Sequence, residues 1–231
     1  MIRRYSHWTV GLLVGMWLPT ASASAGDVSG NLEVPPTLLT TKPPRGCAEH
    51  SCYWNEPNGV YPPRTYRSTI ARHLSVVLTS QRSKAPFNQV LSLQGGGFLP
   101  GTLVAANGST LTVSNADGFQ RSPFAKGLKE FNFPEMRTGD SRAVKLLATG
   151  HWTLKDTLVP HADGYLHVVT NLVAIGTLGE SGSFLFTDIE PGRYKLVVYY
   201  HEHMLTSQAI EVPSKGKLKL DPISLPTPKP R

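Results

Sequence analysis

Leu74-Ser-Val-Val-Leu-Thr79, Gln89-Val-Leu-Ser-Leu93, Ser109-Thr-Leu-Thr-Val-Ser114, Arg142-Ala-Val-Lys-Leu-Leu147 and His151-Trp-Thr-Leu-Lys155 are short apolar or alternating runs separated by turn residues. Alternation of period two turns one face of each run toward a core, and runs at this spacing predict an antiparallel sandwich. A second set follows: Gly164-Tyr-Leu-His-Val-Val169, Ser183-Phe-Leu-Phe186, Arg193-Tyr-Lys-Leu-Val-Val-Tyr-Tyr200, Gln208-Ala-Ile-Glu-Val212 and Lys217-Leu-Lys-Leu220. A helical stripe shows only weakly, around Thr65 to His73, so the predicted fold class is all-β. The chain has 231 residues, 40% hydrophobic and 17% charged, with 21 Gly and 19 Pro. That composition supplies one or two cored domains, excludes a disordered chain and disfavours an α-solenoid.

Upstream, Arg3 and Arg4 precede an apolar run from Trp8 to Leu18 and the small residues Ala21-Ser-Ala-Ser-Ala25. This order reads as a secretory signal over residues 1–25, cut before Gly26, with no stable membrane span afterwards. The expected location is periplasmic or secreted. The net charge of +7 is spread over singly placed Lys and Arg, which favours solubility and loose attraction to anionic envelope surfaces. No nucleic-acid motif is present, and nucleic acid is not an expected partner.

Val28 to Val34 predicts a first strand, after which residues 34–63 carry seven prolines, reading as an extended surface excursion that no central ladder would admit. Both cysteines lie there, Cys47 and Cys52. In an oxidising compartment they are expected to close a small disulfide ring. A Cys47, His50, Cys52 chelate for Cu(I) or Zn(II) is the alternative, though no fourth ligand is evident.

Within residues 88–170, Gly97-Phe-Leu-Pro100, Asn115-Ala-Asp117, Phe124, Glu130-Phe-Asn-Phe133, Gly139-Asp-Ser-Arg-Ala-Val144 and Val159-Pro-His161 follow one another in order. The segment resembles the plastocyanin-like, cupredoxin domain of exported bacterial proteins of the methylamine-utilisation-like type. That resemblance implies a Greek-key sandwich with a type 1 copper site of two imidazoles, one thiolate and a weak thioether. Laid on this chain, the four ligand positions fall on Arg121, Asp156, Val159 and Ala162. None of these side chains supplies the required imidazole, thiolate or thioether, and no cysteine lies beyond Cys52, so the expectation is a cupredoxin that has lost its copper. Arg121 and Asp156 are expected to replace the metal by an ion pair joining the same two loops.

Residues 164–212 resemble the carboxypeptidase regulatory-like, transthyretin-like domain through Ser181-Gly-Ser-Phe184-Leu-Phe186, Asp188-Ile-Glu-Pro191-Gly192-Arg-Tyr194-Lys-Leu196 and Tyr199-Tyr-His201-Glu202. Pro191-Gly192 is a turn, and alternating aromatics face a core. The resemblance implies a second sandwich and carries no catalytic residues.

Two clusters remain. His201 and His203, at i and i+2, would share one strand face and chelate Cu(II) or Zn(II), with Met204 adding a soft donor from a turn. His161, His167, Asp156 and Asp163 lie close in sequence and could form a metal site or general-base pair, but Gly164 separates the imidazoles, and a solvated loop is the expectation. There is no Gly-x-Ser-x-Gly elbow, His-Glu-x-x-His helix or phosphate loop.

The sequence therefore predicts a signal (1–25), a first strand with the Pro-rich excursion (26–72), a cupredoxin-like domain (73–168), a carboxypeptidase regulatory-like domain (169–225) and a loose tail (226–231). The two sandwiches are expected to form one body, because no linker separates Val169 from Ser183 and Leu172-Val-Ala-Ile175 offers apolar side chains to the junction. The expected function is that of an exported, non-catalytic binding or structural protein without a cofactor, its partner an envelope protein or glycan. The alternative is a copper- or zinc-binding protein using one of the His/Met or Cys/His sets.

Overall fold

A computed structural model describes residues 26–35, 38, 72–81 and 86–227. The expected signal, Cys47, His50, Cys52, the body of the proline-rich excursion and residues 228–231 lie outside the described residues. Among the described residues, seventeen strands in four sheets form two sandwiches. The fold is all-β, as the patterning requires.

One sandwich is built from both ends of the chain. Its first sheet runs β12 (Thr177–Leu178), β13 (Ser183–Ile189), β1 (Gly26–Glu33), β16 (Lys217–Lys219), with β17 (Ile223–Ser224) also on β1; its second runs β11 (Leu172–Ile175), β2 (Leu74–Thr79), β14 (Gly192–Tyr200), β15 (His203–Val212). Between them lies a core that includes Val28, Leu32, Val76, Leu78, Phe184, Phe186, Leu196 and Val198.

The other sandwich is inserted between β2 and β11. Its sheets run β4 (Gly97–Leu99), β3 (Gln89–Gln94), β6 (Thr110–Asn115), β8 (Ser141–Lys145) and β5 (Thr102–Ala106), β10 (Gly164–Val169), β9 (Gly150–Asp156), β7 (Pro123–Ala125). Leu91, Leu93, Leu111, Val113, Phe131, Leu154 and Leu166 fill its core. The insertion leaves and re-enters at one point, where the Ser80 amide donates to the Asn171 carbonyl at 3.1 Å.

Three features differ from the sequence-based expectation. The sandwiches are nested, not consecutive: β2, expected to open the cupredoxin-like unit at residue 73, pairs with β14 and β11 of the outer one. β1 likewise belongs to the outer sandwich, pairing with β13. The sheets are also mixed, with parallel pairs β3–β6 and β5–β10 in the inserted sandwich and β1–β16 and β1–β17 in the outer one. The physical reason is that patterning reveals which residues face inward but is blind to the strand, more than a hundred residues away, that will accept their hydrogen bonds.

The sandwiches share a third apolar layer of Val77, Val104, Ala106, Leu172, Val197 and Tyr199. Each contributing strand buries both faces. In β2, Leu74, Val76 and Leu78 enter the outer core while Val77 faces the inserted sandwich; in β14, Leu196 and Val198 face one way and Val197 and Tyr199 the other. β5 mirrors this, with Leu103 and Ala105 in the inserted core and Val104 and Ala106 in the shared layer.

Candidate functional site

The loop after β6 carries the first of two polar assemblies. Asn115 accepts from the Asp117 amide at 3.0 Å and donates to the carbonyls of Phe119 (2.9 Å) and Met136 (3.0 Å), which fixes the turn that delivers Arg121. Arg121 is then bridged to Met136 through reciprocal backbone bonds of 3.0 and 2.7 Å. Its side chain is fully buried, and it is the largest fully buried side chain among the described residues.

Arg121 Nε donates to Asp156 Oδ2 at 2.8 Å, with neither side chain exposed. Its Nη1 donates to Asp117 Oδ2, a partner four residues earlier that sequence reasoning missed. Both Nη atoms lie 3.4 Å from the Gly97 carbonyl, and the guanidinium carbon sits 5.8 Å from the Phe98 ring centroid and 6.0 Å from that of Phe119. Two carboxylates about one guanidinium leave one negative charge in excess. Backbone donors offset it: Asp156 accepts from the amides of Leu158 (2.9 Å), Val159 (3.0 Å) and Ser122 (3.3 Å), and Asp117 from Gly96 (3.3 Å). Such bonds to ionised oxygens keep a buried charge cluster from being costly.

The ion pair expected of Arg121 and Asp156 is therefore formed, and it ties the loop after β6 to the end of β9. The remaining two positions of the implied copper set, Val159 and Ala162, are buried in the inserted core. A guanidinium, a carboxylate committed to it, and two aliphatic side chains do not fit a type 1 copper ion.

The second assembly lies at the junction. His201 does not share a strand face with His203 as expected; it sits in the turn between β14 and β15 with a left-handed backbone (φ 52°). Its ring stacks on Tyr165 (4.5 Å) and Tyr200 (4.0 Å) and meets His73 edge-on at 4.9 Å. The chelate inferred for His201, His203 and Met204 loses its geometric premise: His203 lies 3.6 Å from the Glu202 carboxylate and Met204 is solvent-exposed. Among the described residues, no three His, Cys, Asp or Glu side chains are placed to hold a metal ion.

His167, expected in a solvated loop with His161, is instead buried, its ring tilted against Tyr199 at 4.5 Å and stacked 6.1 Å from His151. Its Nε2 donates to the His201 carbonyl at 2.6 Å, which assigns the tautomer, since a carbonyl only accepts. Asp163 pairs with Lys155, and Asp156 with Arg121, so the expected general-base grouping is dispersed. Burial lowers the pKa of His201 to about 4, helped by His73 and opposed by Glu202 and Asp163. Burial likewise lowers His73 and His167, and pushes Tyr165 up to about 12.

No protein-family model matches the chain, and no curated protein matches it. Part of the chain is similar to solved cupredoxins. A copper-containing nitrite reductase from Thermus scotoductus SA-01 is 17% identical with a TM-score of 0.34, the match covering 39% of this chain and 24% of that one. A purple cupredoxin from Nitrosopumilus maritimus is 19% identical (TM-score 0.32), covering 35% of this chain and 99% of that one, and a reduced amicyanin variant 15% identical (0.33; 40% and 99%). The chain thus spans about a quarter of the reductase's length. No helix among the described residues is long and apolar enough to cross a membrane.

Proposed function

We propose that this chain is an exported, non-catalytic β-sandwich protein whose inserted unit is a cupredoxin that has exchanged its type 1 copper site for an ion cluster. Its role is then structural and presentational: rigid loops held toward an envelope protein or glycan. The observation that carries this reading is the fully buried Arg121 between Asp117 and Asp156. A blue copper centre needs a thiolate for its soft bond and its redox tuning, whereas the positions that the resemblance assigns to the copper ligands include a cation already satisfied by two carboxylates. Copper does in a cupredoxin what Arg121 does here, joining loops of the two sheets, but only the metal adds electron transfer.

The test uses full-length protein purified from the periplasm without chelator. Elemental analysis should find no stoichiometric copper or zinc, and added Cu(II) should give no intense thiolate-to-copper absorption. The thermal midpoint should be indifferent to chelator and should fall in Arg121→Ala. A blue complex, or one equivalent of either metal on the purified protein, would overturn the reading.

A further inference from the structure

At the turn between β14 and β15, His201 clasps the outer sandwich to the inserted one by three contacts. The His201 amide donates to Thr102 Oγ1 at 2.9 Å, its carbonyl accepts from His167 Nε2 at 2.6 Å, and its ring lies on Tyr165. Thr102 belongs to β5 and Tyr165 and His167 to β10, all in the inserted sandwich. A further backbone bond, Gly101 amide to Arg72 carbonyl at 2.9 Å, brings His73 against the same ring. There is no slack on that side, because a Cβ placed on Gly101 would come within 2.6 Å of the His73 ring.

We propose that this clasp is an acid-released latch: proton uptake by His201 and the neighbouring His73 frees the β14–β15 turn from the inserted sandwich while both cores stay folded. A charge on His201 would be enclosed by Tyr165 and Tyr200 and face a second imidazole at 4.9 Å. Among the described residues, the charged and titratable groups around the clasp come from each element packed against it. Arg72 and His73 approach from the segment before β2, His151 from β9, Asp163 from the loop before β10, Tyr165 and His167 from β10, and Tyr199, Tyr200, Glu202 and His203 from the turn and its flanks. Among the described residues, Glu202 and Asp163 are the groups that favour a proton on His201, while the His201 carbonyl favours one on His167 and so holds that bond closed. Asp163 is already held by Lys155, and Glu202 lies beside His203.

The sign follows from the depressed imidazoles. Neutral His201 is favoured in the closed state, so the latch is at full strength above the ordinary imidazole value and weakens as the pH falls from there toward about 4. Each proton taken up on opening multiplies the open fraction about tenfold per pH unit. The shared layer of Val77, Val104, Ala106, Leu172, Val197 and Tyr199 adds no titration in the acid range, since its one ionisable group, the Tyr199 phenol, is pushed up by burial from an ordinary value near 10.

Hydrogen exchange of the full chain, in chelator and corrected for intrinsic rates, tests this between pH 7 and pH 4.5. Protection of the His201 and Gly101 amides, which cross the clasp, should fall by at least tenfold while residues 103–105, 111–113 and 184–186 keep theirs. His201→Asn, which tolerates the left-handed backbone, should flatten the response. Uniform loss across both cores, or an unchanged response in the variant, would overturn the proposal. Should that variant fail to fold, the titration of His201 in the unmodified protein by NMR decides: an imidazole titrating at its ordinary value or above overturns the latch, and one titrating well below it supports it.

Discussion

At Arg121 the energetics are those of a buried charge whose partners are all supplied by the protein. Removing one member leaves the others desolvated without compensation, so Arg121→Ala and Asp156→Ala should each destabilise by about 3–5 kcal/mol. Removing both should cost less than the sum, because Arg121→Ala already takes away the cation that Asp156 pairs with; Asp117 is stranded equally in the single Arg121→Ala and in the double variant. Chemical denaturation of the four species of the cycle measures the coupling; additive effects would mean that the two side chains do not act as a pair. Asp117→Asn is the informative companion, since it returns the cluster to one cation and one anion while keeping an oxygen toward Nη1, and should cost less than either alanine change. The Arg121–Asp156 pair was legible in the sequence because the resemblance aligned two residues of opposite charge on the loops that copper would join. Asp117 was not, although its spacing of four from Arg121 within Asn115-Ala-Asp117 was the available signal.

Strands β2, β5 and β14 show what patterning can and cannot reveal. Val76-Val-Leu78, Leu103-Val-Ala-Ala106 and Leu196-Val-Val-Tyr199 are continuous apolar runs, and a run buried on both faces is how a strand between two cores must read. β5 went unrecognised because its short run sits between Pro100-Gly101 and Asn107-Gly108, two strong turn signals. Which second core each run served was not legible, since it depends on partners distant in sequence. β11 tests the assignment of faces. Leu172 enters the shared layer and Val173 the outer core. Val173→Asp should therefore destabilise the outer sandwich outright, by about 3 kcal/mol or more. Leu172→Asp should chiefly uncouple the two sandwiches, splitting a single calorimetric transition into two. A Leu172→Asp protein that still melts in one transition would show that the shared layer is not what couples them.

For the whole molecule, nesting has a consequence that consecutive domains would not have. The outer sandwich places β1 and β2 on one side of the insertion and β11 through β17 on the other, so its core is complete only when the two breakpoints meet. Closing a long loop costs conformational entropy, but a folded insert whose ends already meet reduces that cost to that of a short turn. The Ser80–Asn171 hydrogen bond shows that the ends do meet. Replacing residues 82–169 by a short glycine-rich turn should accordingly leave a folded outer sandwich, because every strand that lines its core is retained. The excised protein should melt cooperatively but at a lower temperature, since Val77, Leu172, Val197 and Tyr199 lose their cover and add an exposed apolar patch. Calorimetry of the excised chain, with the ratio of calorimetric to van't Hoff enthalpy near one, is the expected result. A chain without a cooperative transition would mean that the inserted sandwich supplies part of the outer core's stability and not merely the connection across it.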